Sequence, residues 1–409
     1  MQIKRIWFVS HYSMPPEYEM RIKTQMYAHY LGQMGIDCTI FAASTLHNTD
    51  INLIKGREQY IEREYGDLKF VHIRCSDYTK TDLKRIINME EFAYRFCRIA
   101  EKFTPPDAIV ADTYCISYKP IYRYCNKHRI PFIVDVRDLW PKSIIEYLHI
   151  SENNPVIRYM YSLERKMYIN ADGIIFSMDG GYDYIRDRKL EKLIPQEKVF
   201  YINNGVGLDE FTKNSRQFIT EDSDLHDPDY FKVVYVGSIR KVNNLGLLLD
   251  AAKEVKNKKV RFLIWGTGDE LEKLKTRVTQ EKIENVVFKG YVEKKYIAYI
   301  TKQADLNLIH NNPSEIFKYG ISFNKIFDYL ASGKPTLTTF PCKYNPAVYE
   351  GAGVEVKDST PQEIAQTIDQ LSMSDLTNYG NRAREASEKY DYKALSMRLL
   401  EIIENVMKR

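Results

Sequence analysis

The sequence is poor in the features that would commit its 409 residues to a metal, a disulfide framework or a membrane. Its six cysteines, at positions 38, 75, 97, 115, 125 and 342, form no C-x-x-C pair, and no histidine joins them at zinc spacing. That pattern speaks against a metal finger and a disulfide scaffold. It fits reduced structural thiols in the cytosol. No apolar run approaches the roughly 18 residues of a transmembrane helix. The opening M-Q-I-K-R-I-W-F-V-S has too short an apolar stretch for a signal peptide and reads as a first strand. A net charge of +4 is too small to argue for nucleic acid. Repeats and low-complexity tracts are also missing.

What is present is length, apolar content and alternation. A chain of this size favours two domains over one core, and 44% hydrophobic residues suffice for both. Short apolar strands alternate with helical patterns, which argues for parallel sheets covered by helices. The first series runs through Ile6–Ser10, Cys38–Phe41, Phe70–Ile73, Ala108–Ala111, Phe132–Val136, Gly173–Phe176 and Val199–Ile202. Thr212–Tyr230 is polar, acidic and without periodicity, and reads as a linker. A second series follows, with strands at Val233–Val236, Arg261–Ile264, Asn285–Phe288, Leu306–Ile309 and Thr336–Thr339. Tyr392–Val406 is an amphipathic helix carrying Leu395, Leu399, Ile402, Ile403 and Val406. The reading is α/β, with domains at 1–210 plus 390–409 and at 211–389. In such sheets ligands bind beyond the carboxyl ends of the strands.

Residues 317–335, F-K-Y-G-I-S-F-N-K-I-F-D-Y-L-A-S-G-K-P, are the most informative stretch. A loop leads into a helix whose apolar face is Ile326, Phe327, Leu330 and Ala331, closed by Gly333 and Pro335. The free N–H groups and positive pole at its start suit an anion. Lys325 in the first turn is unfavourable there unless something negative is bound, and a diphosphate fits. After the first strand of the second series, Gly237 allows close backbone approach, and Arg240 and Lys241 supply two cations. Gly266-Thr267-Gly268 is a weak glycine motif lacking the rest of a dinucleotide fingerprint. In the first series, Phe132–Pro141 ends in Asp135, Arg137 and Asp138, followed by Trp140 and Pro141. Asp222-Ser223-Asp224 and Asp227-Pro228-Asp229 are read as solvated loop and not as a metal site. Lys80–Phe103 mixes cations with apolar residues, as in helices that lie on anionic lipid.

The 317–335 stretch resembles the nucleotide-sugar loop of family 4 glycosyltransferases of bacterial O-antigen and capsule synthesis. Ser322, Asn324, Lys325, Phe327, Asp328, Tyr329, Ala331, Gly333, Lys334 and Pro335 fall in that register, and R-D-L-W-P at 137–141 matches a variant of the same group. The resemblance implies the GT-B fold: two Rossmann-like domains facing a central cleft, with acceptor on the first and nucleoside-diphosphate sugar on the second. The terminal helix would cross back to the first domain. The family's paired glutamates fall on Gly320 and Asp328, and its first-loop glycines on Glu19 and Met20. By the same resemblance, Lys325, Arg240, Lys241 and Asp138 are the catalytic candidates. Gly237, Ser238, Tyr291, Val292, Gly320, Ile321, Ser322, Asn324 and Asp328 would hold the donor, with Tyr291 or Val292 at the base. Arg137, Arg21 and His11 would meet the acceptor.

The implied activity is retaining, metal-independent transfer of a hexosyl or N-acetylhexosaminyl group. No cofactor is expected beyond the co-substrate, a UDP-sugar first among candidates. The expected partners are a glycan or lipid-linked acceptor and an anionic membrane surface, with no nucleic acid. The expected location is cytoplasmic, peripheral at the inner face of the membrane. A nucleotide-sugar 2-epimerase of the same fold and a non-catalytic glycan-binding relative are the alternative readings.

Overall fold

The computed structural model describes residues 3–20, 22–78 and 83–409, and for Leu83 the backbone only. The chain divides into two units, Met1–Asn203 with Tyr392–Arg409, and Asn204–Asp391. Arg21 and Lys80, two residues singled out in the sequence, lie outside the described residues.

The first unit is built on eight strands: β1 Arg5–Ser10, β2 Asp37–Ala43, β3 Tyr60–Tyr65, β4 Leu68–Ile73, β5 Ala108–Asp112, β6 Phe132–Val136, β7 Gly173–Phe176 and β8 Val199–Tyr201. Their spatial order is β3-β4-β2-β1-β5-β6-β7-β8. All neighbours are parallel except β3 and β4, which form an antiparallel edge hairpin. The central strands are apolar on both sides because helices cover both faces. The helix Tyr392–Met407 completes one face, with Leu395, Leu399, Ile402, Ile403 and Val406 in the same core as Ile6, Phe8 and Ile40.

The second unit has six parallel strands: β9 Phe231–Val236, β10 Val260–Trp265, β11 Val286–Gly290, β12 Leu306–Ile309, β13 Thr336–Thr338 and β14 Gly353–Glu355. The order is β11-β10-β9-β12-β13-β14. The expected α/β class with two parallel-sheet domains is what the chain adopts.

Two expectations are corrected. The polar stretch Thr212–Tyr230 is not a bare linker. Its first residues lie in the helix Leu208–Gln217, which buries Phe211 and packs on the helix Lys294–Gln303. Its polar composition marks only its solvent face. Asp222 and Asp224 are not solvated loop residues. Asp222 caps the short helix Ser223–His226, and the two carboxylates hold Lys289 at 2.8 and 2.5 Å, with Arg261 2.5 Å from Asp224. The hydrogen bond from Lys289 and the charges around it keep the Asp224 carboxyl below the usual range. The basic helix, Leu83–Ala100, turns Phe92 and Phe96 into its own unit and leaves Ile86 and Ile87 exposed. Its Arg95 is spent on Glu91 and the Arg74 carbonyl. Among the described residues, no helix is long and apolar enough to cross a membrane.

Candidate functional site

Strand order reverses once in each sheet, and an open parallel sheet has its crevice at that reversal, beyond the strand carboxyl ends. In the second unit the reversal lies between β9 and β12. These strands pair only at Val233–Leu306 and Val234–Asn307, then separate. Tyr329, from the helix Asn324–Ser332, fills the gap. Its hydroxyl donates to the Leu308 carbonyl at 3.3 Å and accepts from the Val236 N–H at 3.3 Å. The motif helix is thereby pinned across the split, and its first turn is set at the mouth.

Lys325 sits in that first turn. Its Nζ lies 4.1 Å from the centre of the Tyr235 ring, and among the described residues it has no hydrogen bond and no ion pair. Enclosure by protein pulls its pKa down to about 8. The helix start adds to the positive field: Phe323 caps it with no side-chain bond, and no acidic residue stands in the first turn. His310, just past β12, is buried. Its Nε2 donates to the Asn244 carbonyl at 2.9 Å, and Nδ1 meets the Thr339 hydroxyl at 2.6 Å. Burial, with Lys325 nearby, lowers its pKa to about 4, so the ring is neutral. An unpaired ammonium beside neutral groups and bare N–H donors has one evident complement, an anion.

The loop after β9 closes around the same point. A Cβ on Gly237 would stand 2.5 Å from Lys325 Nζ, so any larger residue would displace the ammonium. Ser238 bonds Asn243 through its hydroxyl at 2.9 Å and accepts from Tyr235 Oη on its carbonyl at 2.9 Å. Arg240 and Lys241 are exposed and have no ion pair among the described residues. Gly266 and Gly268 serve this loop: a Cβ on either would fall within 2.1 Å of the carbonyl oxygen of Gly237 or Ile239. The weak glycine motif is a packing device for the β9 loop.

The other donor candidates are distributed around the motif. Gly320 has φ 105°, where a side chain is strained. The glycine in place of the family's carboxylate therefore belongs to the local backbone. Ile321 is buried. Ser322 holds Asn204 through its hydroxyl at 2.8 Å and its carbonyl at 2.6 Å. Asn324 is exposed at the helix start, and Asp328 lies one turn in, partly buried. Tyr291, 72% exposed, and Val292 follow β11, two strands from the reversal.

In the first unit the reversal falls between β1 and β5. Here the strands stay paired to their ends, Ser10 opposite Asp112, with a 2.9 Å bond between their side chains. Four charged groups at this edge, Lys23, Arg137, Asp112 and Asp135, satisfy one another. Lys23 Nζ, almost fully buried, reaches Asp135 at 3.0 Å, Ser177 at 3.2 Å and the Ile202 carbonyl at 2.8 Å. Arg137 reaches Asp135 at 3.2 Å and Asp112 at 3.1 Å. Burial opposes that guanidinium's charge, and the two carboxylates outweigh it, so its pKa is raised. Arg137, expected at the acceptor, is thus held by protein, with only Nη2 lacking a partner. His11 is buried, bonded to Asn88 and packed against Phe92, and burial lowers its pKa to about 4. Asp138 is exposed, with no side-chain bond among the described residues. Its surroundings and the charge of Asp112 push its carboxyl above the usual range. Lys23, Asp112 and Asp135 as a charge network escape a reading of the sequence alone.

Comparison with known proteins follows the same division. Residues 230–374, within the second unit, match the family profile described as glycosyl transferases group 1. No curated protein sequence matches the chain. Solved structures match over both units. Sucrose-phosphate synthase from Thermosynechococcus elongatus superposes with TM-score 0.71 at 16% identity, covering 99% of each chain. Alr3699/HepE from Anabaena, solved with UDP and glucose, gives 0.65 at 15%, covering 98% of this chain and 100% of its own. WaaG, a glycosyltransferase involved in lipopolysaccharide biosynthesis, gives 0.64 at 12%, covering 97% and 99%. At such identities the likeness establishes the fold: this chain has the two-domain architecture of GT-B glycosyltransferases, and its second unit carries their group 1 sequence signature.

Proposed function

We propose that this protein is a retaining glycosyltransferase. It moves a hexosyl or N-acetylhexosaminyl residue from a nucleoside-diphosphate sugar, UDP first among candidates, to a glycan or lipid-linked acceptor of a bacterial surface polysaccharide. The observation that carries the reading is Lys325: an enclosed, unpaired ammonium at the start of an uncapped helix, against a glycine that leaves room for the ammonium itself. Two solved relatives agree in kind. HepE has been solved with UDP-glucose, and WaaG is a glycosyltransferase involved in lipopolysaccharide biosynthesis.

In this reading the donor diphosphate lies on Lys325 and the helix N–H groups, with Arg240 and Lys241 at its edge. The bond from the sugar's anomeric carbon to phosphate oxygen breaks, and charge grows on the leaving diphosphate. Fixed cations aimed at that charge lower the barrier most in the transition state. The acceptor oxygen bonds the anomeric carbon from the same face, and its proton passes to the leaving phosphate. In this reading Lys325, the helix N–H groups, Arg240 and Lys241 would all meet the diphosphate, and the proposed transfer asks for no divalent ion.

A thermal-shift screen over UDP-, GDP-, dTDP- and ADP-sugars tests the donor. One nucleotide should raise Tm, because a ligand of the folded state stabilises it by mass action. The shift should survive EDTA. No response to any of the four nucleotides would refute the reading, and a response abolished by EDTA and restored by magnesium would refute its metal independence.

A further inference from the structure

The carboxyl edge of the first sheet carries a row of aromatic rings. Tyr12 follows β1, Tyr114 follows β5 and Trp140 follows β6, so three separate loops deliver them to one place. The rings run in sequence: Tyr12 to Tyr114 at 5.9 Å between centres, Tyr114 to Trp140 at 4.3 Å. All three are partly exposed. The tryptophans elsewhere, Trp7 and Trp265, are 1% and 4% exposed. Arg85 borders the row, its Nε 2.6 Å from Tyr12 Oη. Asp138, two residues before Trp140, is the exposed carboxylate just past β6, with no side-chain partner among the described residues.

We infer that this row is the acceptor subsite and that it takes a neutral pyranose ring. The inference rests on the glycosyltransferase reading and specifies its acceptor. A pyranose has a face of C–H groups and a rim of hydroxyls. The rings offer apolar surface, with their polar tips still able to bond, for the first. The Asp138 carboxylate accepts hydrogen bonds from the second, and charge-assisted bonds of that kind are the strong ones. An acidic sugar would set its own carboxylate near Asp138, so neutral residues are favoured. A packed aromatic cluster with no ligand accounts less well for the arrangement. Packing alone does not explain why an exposed, unpartnered carboxylate stands with three partly exposed rings at the strand ends, where open parallel sheets bind ligands.

Trp140 supplies its own reporter, because the other two tryptophans are buried. The test is a fluorescence titration with the methyl glycosides of glucose, galactose, mannose and N-acetylglucosamine, each to about 100 mM, a range suited to weak single-sugar binding. At least one should change the emission saturably, and the change should vanish in Trp140→Phe. Tyr12→Ala and Asp138→Ala, which keep the reporter, should each weaken binding about tenfold. The UDP-induced Tm shift should be the same in all three variants, which also shows them folded. A panel without saturable change, or a change that persists in Trp140→Phe, overturns the inference. If UDP still stabilises the protein in that case, only the acceptor subsite is lost. If the wild type ignores nucleotides but binds glycosides, the donor reading fails instead.

Discussion

The two sheets reverse strand order in the same way and treat charge at the reversal in opposite ways. In the first unit β1 and β5 stay zipped to the end, and Lys23, Arg137, Asp112 and Asp135 neutralise one another. In the second, β9 and β12 part early, Tyr329 fills the gap, and Lys325 stands at its mouth with no counter-charge. Geometry alone marks both places as binding crevices. Charge separates them: a satisfied network is explained by folding, whereas an enclosed unpaired cation is explained by something not yet bound. On the proposed function, the acceptor is then sought beside the first network, at Asp138 and the aromatic row.

The largest effect should come from breaking the satisfied network. Lys23→Met leaves Asp135, only 3% exposed, without its closest cation. Removing one partner of a buried pair typically costs about 3–5 kcal/mol. Urea unfolding should show a loss of that size. A change below about 1 kcal/mol would mean that the network is not structural and that the contrast is false.

Next in size is catalysis at the unpaired site. Lys325→Met should lower kcat by about 10²–10³, the scale of losing one charge-stabilising group in a transition state. Asp328→Ala should mainly raise the donor KM, if its carboxylate meets the ribose, which changes little in reaction. Steady-state kinetics on both variants decides. Should Lys325→Met raise KM alone, or Asp328→Ala lose more kcat, the two roles would need to be exchanged.

A smaller effect should appear with pH. Lys325 in the free protein titrates at about 8, because enclosure disfavours its charged form. A bound diphosphate favours that form, so nucleotide binding takes up a proton as pH rises through 8. Kd for UDP should weaken about tenfold between pH 7 and pH 9. Stability of the free protein should move the other way. The unfolded chain binds more protons above the folded pKa, so the penalty for the enclosed ammonium fades as pH climbs past 8. His310 and Tyr235 do not confuse the window, since burial keeps the first neutral and raises the second. A Kd flat across this range would remove Lys325 from the diphosphate.

Part of this contrast is legible in the amino-acid sequence. Apolar alternation locates most of the parallel strands, and N-K-x-F-D points to Lys325 because a cation at a helix start is locally anomalous. The β3 edge strand, I-E-R-E in its middle, is too polar to show as a strand, and β14 is only three residues long. The first network is invisible for a different reason. Lys23 reads as a surface lysine on a helix, and its partner Asp135 is 112 residues away. Asp224 and Lys289 are 65 apart. Periodicity reports which face of an element is buried, and it carries no information about which distant charge will be waiting there. Arg137 and His11 show the same limit: the sequence places each at a strand end, but not the pairing of the first with Asp112 and Asp135 or the burial of the second.

The central claim is that Lys325 is held for a ligand and not for the fold. Melting Lys325→Met with and without UDP tests it most directly, since Met keeps most of the side-chain length and removes the ammonium. The account predicts that the free variant melts no lower than the wild type, because an unpaired, enclosed ammonium has been removed, and that the UDP-induced rise is lost. A free variant that melts several degrees lower while keeping the full UDP response would contradict it.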